Sequence, residues 1–81
     1  MPNRVALYTR AGCHLCQIAK EHLARARLHE NFEFEEVDID SDPTLRALYN
    51  EEVPVISING KKAFKLHVSE EEFLKSLKAR T

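Results

Sequence analysis

The 81-residue sequence contains no tryptophan, one methionine, two glycines and two cysteines. Two glycines are too few for the glycine-rich loops that cradle phosphate groups, which excludes a nucleotide-binding loop of that type. No apolar run approaches the roughly 20 residues that a membrane-spanning helix needs. The formal net charge is −1, from 12 basic and 13 acidic side chains. This balance offers no charge excess for binding nucleic acid or an anionic membrane.

The length limits the number of domains, and the small number of cysteines indicates the cellular compartment. There is room for one domain, 1–81, with a small core. No signal-peptide pattern precedes the first predicted strand. A secreted domain of this size would usually carry several disulfides. We therefore expect a cytoplasmic protein, and we expect it to be a monomer.

Hydrophobic periodicity and turn signals predict seven elements in the order β-α-β-α-β-β-α. Strands are predicted at 4–9, 32–39, 55–58 and 61–66, and helices at 13–28, at 43–49 and from 70 onward. Asn59-Gly60 predicts a two-residue hairpin turn, and Ser69 with Glu72 predicts a capping box. This order gives a four-stranded mixed sheet, with the polar strand 32–39 at its edge. The first and last helices cover one face and the short second helix covers the other.

The segment Cys13-His14-Leu15-Cys16 carries the chemistry that the sequence predicts. A C-x-x-C pair between a predicted strand and a predicted helix is typical of thiol–disulfide exchange. The first N–H groups of a helix lack intrahelical partners, and the helix dipole adds positive potential there. Both effects stabilise a thiolate, which is the form of cysteine that attacks disulfides.

Two other roles for the cysteine pair are disfavoured. A disulfide that closes a loop of two residues constrains the unfolded chain little, which argues against a purely structural bridge. Cys13, Cys16 and His29 match the first part of a zinc-finger spacing, but no second histidine follows three to five residues later. We expect neither a metal site nor a cofactor.

Over nearly its whole length the chain resembles glutaredoxins and the smallest thioredoxin-fold proteins. It is most similar to small bacterial glutaredoxin-like proteins with a C-H-L-C centre. Three segments carry the resemblance: Leu7 to Cys16, Val37-Asp38-Ile39-Asp40 and Val53-Pro54. The resemblance implies an α/β thioredoxin fold with a redox-active cysteine pair.

The same resemblance implies that Val53-Pro54 is a cis peptide bond facing the cysteines, with the Val53 main chain binding an extended substrate. A trans proline is the alternative, because strand starts tolerate proline. Arg10, where the family often has lysine, could bind a substrate carboxylate or favour the thiolate. The alternative is a solvated arginine beside a turn. His14 could stabilise the thiolate as an imidazolium, or be exposed with little influence.

Two departures distinguish this chain from glutaredoxins that use glutathione. Those proteins typically have Thr-Val-Pro where this chain has Glu52-Val53-Pro54. They also have a Gly-Gly step followed by Asp, whereas residues 63–67 contain no glycine. We therefore predict that glutathione binds poorly.

These residues together predict a dithiol–disulfide oxidoreductase of cell redox homeostasis. Cys13 would attack a protein or low-molecular-weight disulfide, and Cys16 would resolve the mixed disulfide. A thioredoxin reductase-like protein or glutathione would then reduce the pair again. The alternative is a non-enzymatic thiol-binding protein, or a carrier of metal or iron–sulfur clusters, with the same fold. A coloured protein or bound metal would favour the carrier.

Overall fold

The computed structural model describes residues 3–79. Its strands are β1 (Asn3–Thr9), β2 (Phe32–Asp38), β3 (Val55–Ile58) and β4 (Lys61–Lys65), and its helices are α1 (His14–Ala26), α2 (Pro43–Tyr49) and α3 (Glu70–Ala79). A short 3₁₀ turn at Ile39–Ser41 follows β2. The sequence-based expectation about a signal peptide depends on Met1 and Pro2, which lie outside the described residues. Within 3–79, no helix is both long and apolar enough to cross a membrane.

The four strands form one mixed sheet in the order β2-β1-β3-β4. Strand β1 pairs in parallel with β2 and antiparallel with β3, and β3 pairs antiparallel with β4. Strand β2 lies at one edge, as its polar alternation predicted. The predicted α/β class, element order and mixed sheet are therefore confirmed.

The main core lies between one face of the sheet and helices α1 and α3. Most of its buried members alternate along the strands or recur at helical spacing along the helices: Val5, Leu7, Ala19, Leu23, Ala26, Ile56, Ile58, Phe73 and Leu77. Phe32 of β2 and Val68, which precedes α3, complete this core. Full burial of one such aliphatic or aromatic side chain contributes about 1.5–3 kcal/mol. These contacts hold α1 on the sheet and fix the position of its N-terminus.

Helix α2 lies on the opposite face of the sheet, as predicted. The ring of Tyr49 packs against the ring of Tyr8 from β1, with their centroids 4.9 Å apart. Leu45 packs, like these two tyrosines, against a small buried cluster formed by Cys16, Ile39 and Val53. The sequence also predicts Leu48 on the apolar stripe of this helix with Leu45 and Tyr49, but Leu48 is 58% exposed. A helix of about two turns brings only part of its apolar stripe to the sheet.

Local sequence signals correctly predicted one turn and one helix cap. Asn59 and Gly60 have φ angles of 54° and 84°, which confirms the predicted hairpin turn. The Ser69 hydroxyl accepts a hydrogen bond from the N–H of Glu72 at 3.1 Å. The Glu72 carboxylate accepts from that same hydroxyl, so the predicted cap is formed mainly through the serine side chain.

Three element ends differ from the predicted ones. Helix α1 ends at Ala26, before the predicted end at 28. Strand β2 ends at Asp38, because the chain turns into the 3₁₀ turn at Ile39. Strand β4 ends at Lys65, because Leu66 has a φ of 67°, outside strand geometry.

Candidate active site

The two cysteines lie where β1 leads into α1. Gly12, with a φ of 78°, forms the turn that precedes them. Cys13 is the N-cap residue of α1, and its Sγ accepts a hydrogen bond from the N–H of Cys16 at 3.1 Å. The two sulfurs are joined by a disulfide. The sulfur of Cys13 therefore occupies the position in which a side-chain oxygen usually caps a helix.

The two cysteines differ in exposure. Cys16 is 3% exposed and packs in an apolar cluster with Ile39 and Val53. Cys13 is half-buried and packs against the outside of this cluster. Because Cys13 is the more exposed of the two, a disulfide-containing molecule can reach Cys13 more readily than Cys16. Within residues 3–79, no carboxylate or imidazole is buried.

The Val53–Pro54 segment lies beside the cysteines. Its peptide bond is cis, as the family resemblance implied. Val53 packs in the cluster that contains Cys16, while its main-chain N–H and C=O form no hydrogen bond within the part of the chain that is described. The N–H of Leu66 is shared between the carbonyl oxygens of Glu52 and Pro54, at 3.2 and 2.8 Å. The fold thus brings the Val53–Pro54 segment next to the Cys13–Cys16 segment, although the two are distant in sequence.

Arg10 is held by residues from two other elements. Its Nε and Nη2 donate to the Asp40 carboxylate at 3.2 and 2.8 Å. Its Nη1 donates to the main-chain oxygen and the Oδ1 of Asn50, at 3.0 and 2.9 Å. The hydrogen bond from Arg10 holds the pKa of Asp40 below its ordinary value.

Arg10 is therefore a paired cation, and its side chain stays 29% exposed. It ties the turn before Cys13 to the 3₁₀ turn and to the end of α2. Contact between Arg10 and a substrate stays a prediction, and all three of its guanidinium nitrogens already have partners within the protein.

His14 is the first residue of α1, adjacent to Cys13, and it is exposed. Its ring makes no hydrogen bond or ion pair with any residue between 3 and 79. This position is compatible with an electrostatic effect on the neighbouring sulfur, and that effect stays a prediction.

Glu52, which precedes Val53, forms an ion pair that the sequence pattern did not reveal. Lys62 of β4 donates a hydrogen bond to its carboxylate at 2.7 Å. This hydrogen bond lowers the pKa of Glu52, and the nearby charge of Lys65 lowers it further. Lys62 therefore anchors the segment before Val53 to β4.

Comparison with known proteins places this geometry in a family. Residues 4–78 match the family described as "Glutaredoxin-like domain (DUF836)". The chain belongs to this glutaredoxin-like family. It is 33% identical over 64 residues to uncharacterised proteins of Mycobacterium tuberculosis and Mycobacterium bovis. That match covers 73% of this chain and 66% of each relative.

Solved structures resemble this glutaredoxin-like domain over most of its length. The X-ray structure of protein XcR50 from X. campestris has a TM-score of 0.80 at 33% identity, covering 93% of this chain and 96% of that one. The solution structure of Ne2328 from Nitrosomonas europaea has a TM-score of 0.82 at 29% identity, covering 95% and 93%. Chloroplastic thioredoxin z, at 12% identity, has a TM-score of 0.79 and covers 96% and 77%, which shows the shared thioredoxin fold.

His22 of α1 and His29, which follows α1, both contact Glu70 at the start of α3. Nδ1 of His22 accepts a hydrogen bond from the N–H of Glu70 at 3.2 Å. Nε2 of His29 lies 3.3 Å from the carboxylate of the same Glu70. Among residues 3–79, no group of three or more His, Cys, Asp or Glu side chains is placed to hold a metal ion.

Sequence reasoning missed the partners of Arg10 and the conformation of Leu66. Asp40 and Asn50 lie 30 and 40 residues from Arg10, so no local pattern connects them. The positive φ of Leu66 carries no local signal either, because glycine or asparagine is the residue that usually marks such a position.

Proposed function

We propose that this glutaredoxin-like domain is a dithiol–disulfide oxidoreductase in which Cys13 attacks and Cys16 resolves. The observation that carries the proposal is the placement of the Cys13 sulfur at the N-cap of α1, where it accepts the N–H of Cys16. An N–H donor and the positive end of the helix dipole both stabilise a thiolate on Cys13. The family match and the shared thioredoxin fold support a redox role.

The reaction proceeds in two exchanges. The Cys13 thiolate attacks one sulfur of a substrate disulfide, forming a mixed disulfide and releasing the first substrate sulfur as a thiolate that takes up a proton. Cys16, as a thiolate after losing its proton, then attacks Sγ of Cys13 and releases the second substrate sulfur. The protein ends with a Cys13–Cys16 disulfide, and the substrate has gained two electrons and two protons.

The main chain of Val53 would align the substrate. Its N–H and C=O form no hydrogen bond within residues 3–79, and its side chain packs in the cluster that contains Cys16. An extended polypeptide could pair with these groups by strand addition. Such pairing would place the disulfide of the polypeptide next to Cys13.

A reduction assay with insulin tests the proposed function. Wild-type protein should accelerate insulin reduction when a thiol reductant or a thioredoxin reductase-like enzyme resets the Cys13–Cys16 disulfide. Cys13→Ser should abolish the acceleration, because this variant lacks the attacking sulfur. Wild-type protein that accelerates reduction no more than Cys13→Ser would contradict the proposal.

Glutathione is expected to be a poor reductant and a poor substrate for this site. Glu52 stands where glutathione-using relatives have threonine, and it is already paired with Lys62. Specificity that depends on hydrogen bonds falls steeply when partners are missing. In a hydroxyethyl-disulfide assay, turnover should be far below that of an authentic glutaredoxin, whereas comparable turnover would refute this expectation.

A further inference from the structure

Part of the sheet face that carries helix α2 is not covered by that helix. Val5 and Leu7 belong to the main core on the other face, so Ala6 between them lies on the face of α2. Above Ala6, an open cleft of about 610 Å³ is lined by β1, by β2, by Ser57 of β3 and by the turn after β3. Sites for small molecules measure about 300–1,000 Å³, so the cleft has room for one.

The floor of the cleft contains a polar side chain without a partner. Ser57 is 7% exposed and lines the cleft. Its hydroxyl forms no hydrogen bond with any residue between 3 and 79. In this range no fully buried side-chain oxygen or nitrogen lacks a partner, so the hydroxyl reaches the space of the cleft. Buried polar groups are nearly always hydrogen-bonded in native proteins, so this hydroxyl points to a ligand.

Charges of opposite sign stand at the rim of the cleft. The carboxylate of Glu35 is exposed and has no ion-pair or hydrogen-bond partner within residues 3–79. The side chain of Arg4 is 80% exposed, and its Nε lies 3.9 Å from the carboxylate of Glu33. An exposed ion pair of this length contributes little to stability, so the guanidinium is available to a ligand.

The strand register places these groups around Ala6. Glu35 and Ser57 are its partners on the two sides, and their Cα atoms are about 10 Å apart. Arg4 lies two residues along β1 on the same face, about 7 Å from Ala6. The small side chain of Ala6 thus leaves a gap between one anionic group, one cationic group and one hydroxyl.

We propose that the cleft is a binding site for a short zwitterionic peptide, whose ammonium pairs with Glu35 and whose carboxylate accepts hydrogen bonds from Arg4 and Ser57. The distances favour a peptide over a single amino acid, because a dipeptide spans about 7 Å between its charged ends. The cysteines follow the carboxyl end of β1, whereas Arg4 lies near its start, and neither cysteine lines the cleft. This site is therefore separate from the proposed active site and does not depend on its chemistry.

Three matched peptides test the two charges of the ligand. They are alanyl-alanine, its N-acetylated form, which lacks the ammonium, and its C-terminal amide, which lacks the carboxylate. When isotope-labelled wild-type protein is titrated and followed by NMR, alanyl-alanine should shift the amide signals of β1, β2 and Ser57 in a saturable way. Each blocked peptide should bind about tenfold more weakly, as expected for the loss of one charge-assisted hydrogen bond.

Variants at the rim and the floor assign the binding to the cleft. Glu35→Gln and Ser57→Ala should each weaken the binding of alanyl-alanine about tenfold. Glu35→Gln should not weaken the N-acetylated peptide further, because that peptide has no ammonium. Glu36→Gln is the matched control: Glu36 is the next residue of β2 and pairs with Lys20 of α1 at 3.0 Å, so its substitution should leave the affinity unchanged. Thermal unfolding of each variant verifies that it is folded.

The outcomes decide the peptide site separately from disulfide reduction. Affinity that is lost in Glu35→Gln and Ser57→Ala, and kept in Glu36→Gln, supports the site. The site is wrong if alanyl-alanine causes no saturable shifts, if all three peptides bind equally, or if the shifted signals surround Cys13 instead. A failure to reduce insulin would overturn the proposed function alone, and Cys13→Ser should bind alanyl-alanine as tightly as wild type.

Discussion

Cys13 and Cys16 have the same chemistry but different surroundings. The sulfur of Cys13 accepts an N–H hydrogen bond at the start of α1, and the residue is half-buried. The side chain of Cys16 lies in an apolar cluster with Ile39 and Val53. Apolar burial disfavours a thiolate, whereas a helix N-terminus favours it. We therefore expect the two thiols of the reduced protein to differ in reactivity.

Alkylation of the reduced protein measures this difference. At mildly acidic pH, iodoacetamide should modify Cys13 well before Cys16, because Cys13 holds more thiolate and is more accessible. Peptide mapping by mass spectrometry after short reaction times gives the ratio. Preferential modification of Cys16 would reverse the roles assigned to the two cysteines.

The Arg10–Asp40 pair predicts a specific pH dependence of stability. The pKa of Asp40 is lowered in the folded protein, first by the hydrogen bond from Arg10. Its contribution to stability is therefore complete above the ordinary aspartate pKa of about 3.9 and is lost as the pH falls through the lowered value. Asp40→Asn should lower the Tm at neutral pH, and the two proteins should converge in acid.

Arg10→Lys is the matched variant for this pair. Lysine keeps the charge but cannot make the two parallel hydrogen bonds to Asp40, and it also loses the bonds that Nη1 donates to Asn50, so its Tm at neutral pH should fall below that of wild type. A wild-type Tm equal to that of Asp40→Asn at every pH would show that the pair has no stabilising effect.

Secondary structure elements with strong local signals were predictable from the sequence. Asp42 accepts from the N–H of Thr44 at 2.8 Å as the N-cap of α2, with Pro43 at the first helical position. The Asn59-Gly60 turn also formed as predicted, since few other residue pairs tolerate two positive φ angles. In contrast, the end of β4 depends on the bonds of Leu66 to residues 52 and 54, which no local pattern encodes.

The cap of α3 offers a test at the scale of one helix. Ser69→Ala removes the hydroxyl that accepts from the N–H of Glu72, which should cost about 1 kcal/mol. For a chain of this size that corresponds to a decrease in Tm of about 4–8 °C. Ser76→Ala, in the interior of the same helix, should leave the Tm unchanged or slightly higher, because alanine is the better helix former. Equal effects of the two substitutions would contradict the cap.

At the scale of the whole molecule, the layered fold assembles the candidate site. Helices α1 and α3 pack on one face of the sheet, and this packing fixes the start of α1 at the carboxyl end of β1. The 3₁₀ turn contributes Ile39 and the segment before β3 contributes Val53, and both pack around Cys16. The cysteine pair was predictable from its spacing, and Val53–Pro54 from the family resemblance. The contacts that join them depend on the complete fold.

Trapping of a mixed disulfide tests the division of roles between Cys13 and Cys16 most directly. The Cys16→Ser variant retains Cys13 as its single cysteine and, incubated with a peptide disulfide, should form a stable mixed disulfide at Cys13 with release of one peptide thiol. Mass spectrometry of the intact protein and of its peptides identifies the adduct. The Cys13→Ser variant, whose single thiol is the buried Cys16, should form an adduct far more slowly. An adduct that forms equally fast in both variants, or faster on Cys16, would contradict the proposed mechanism.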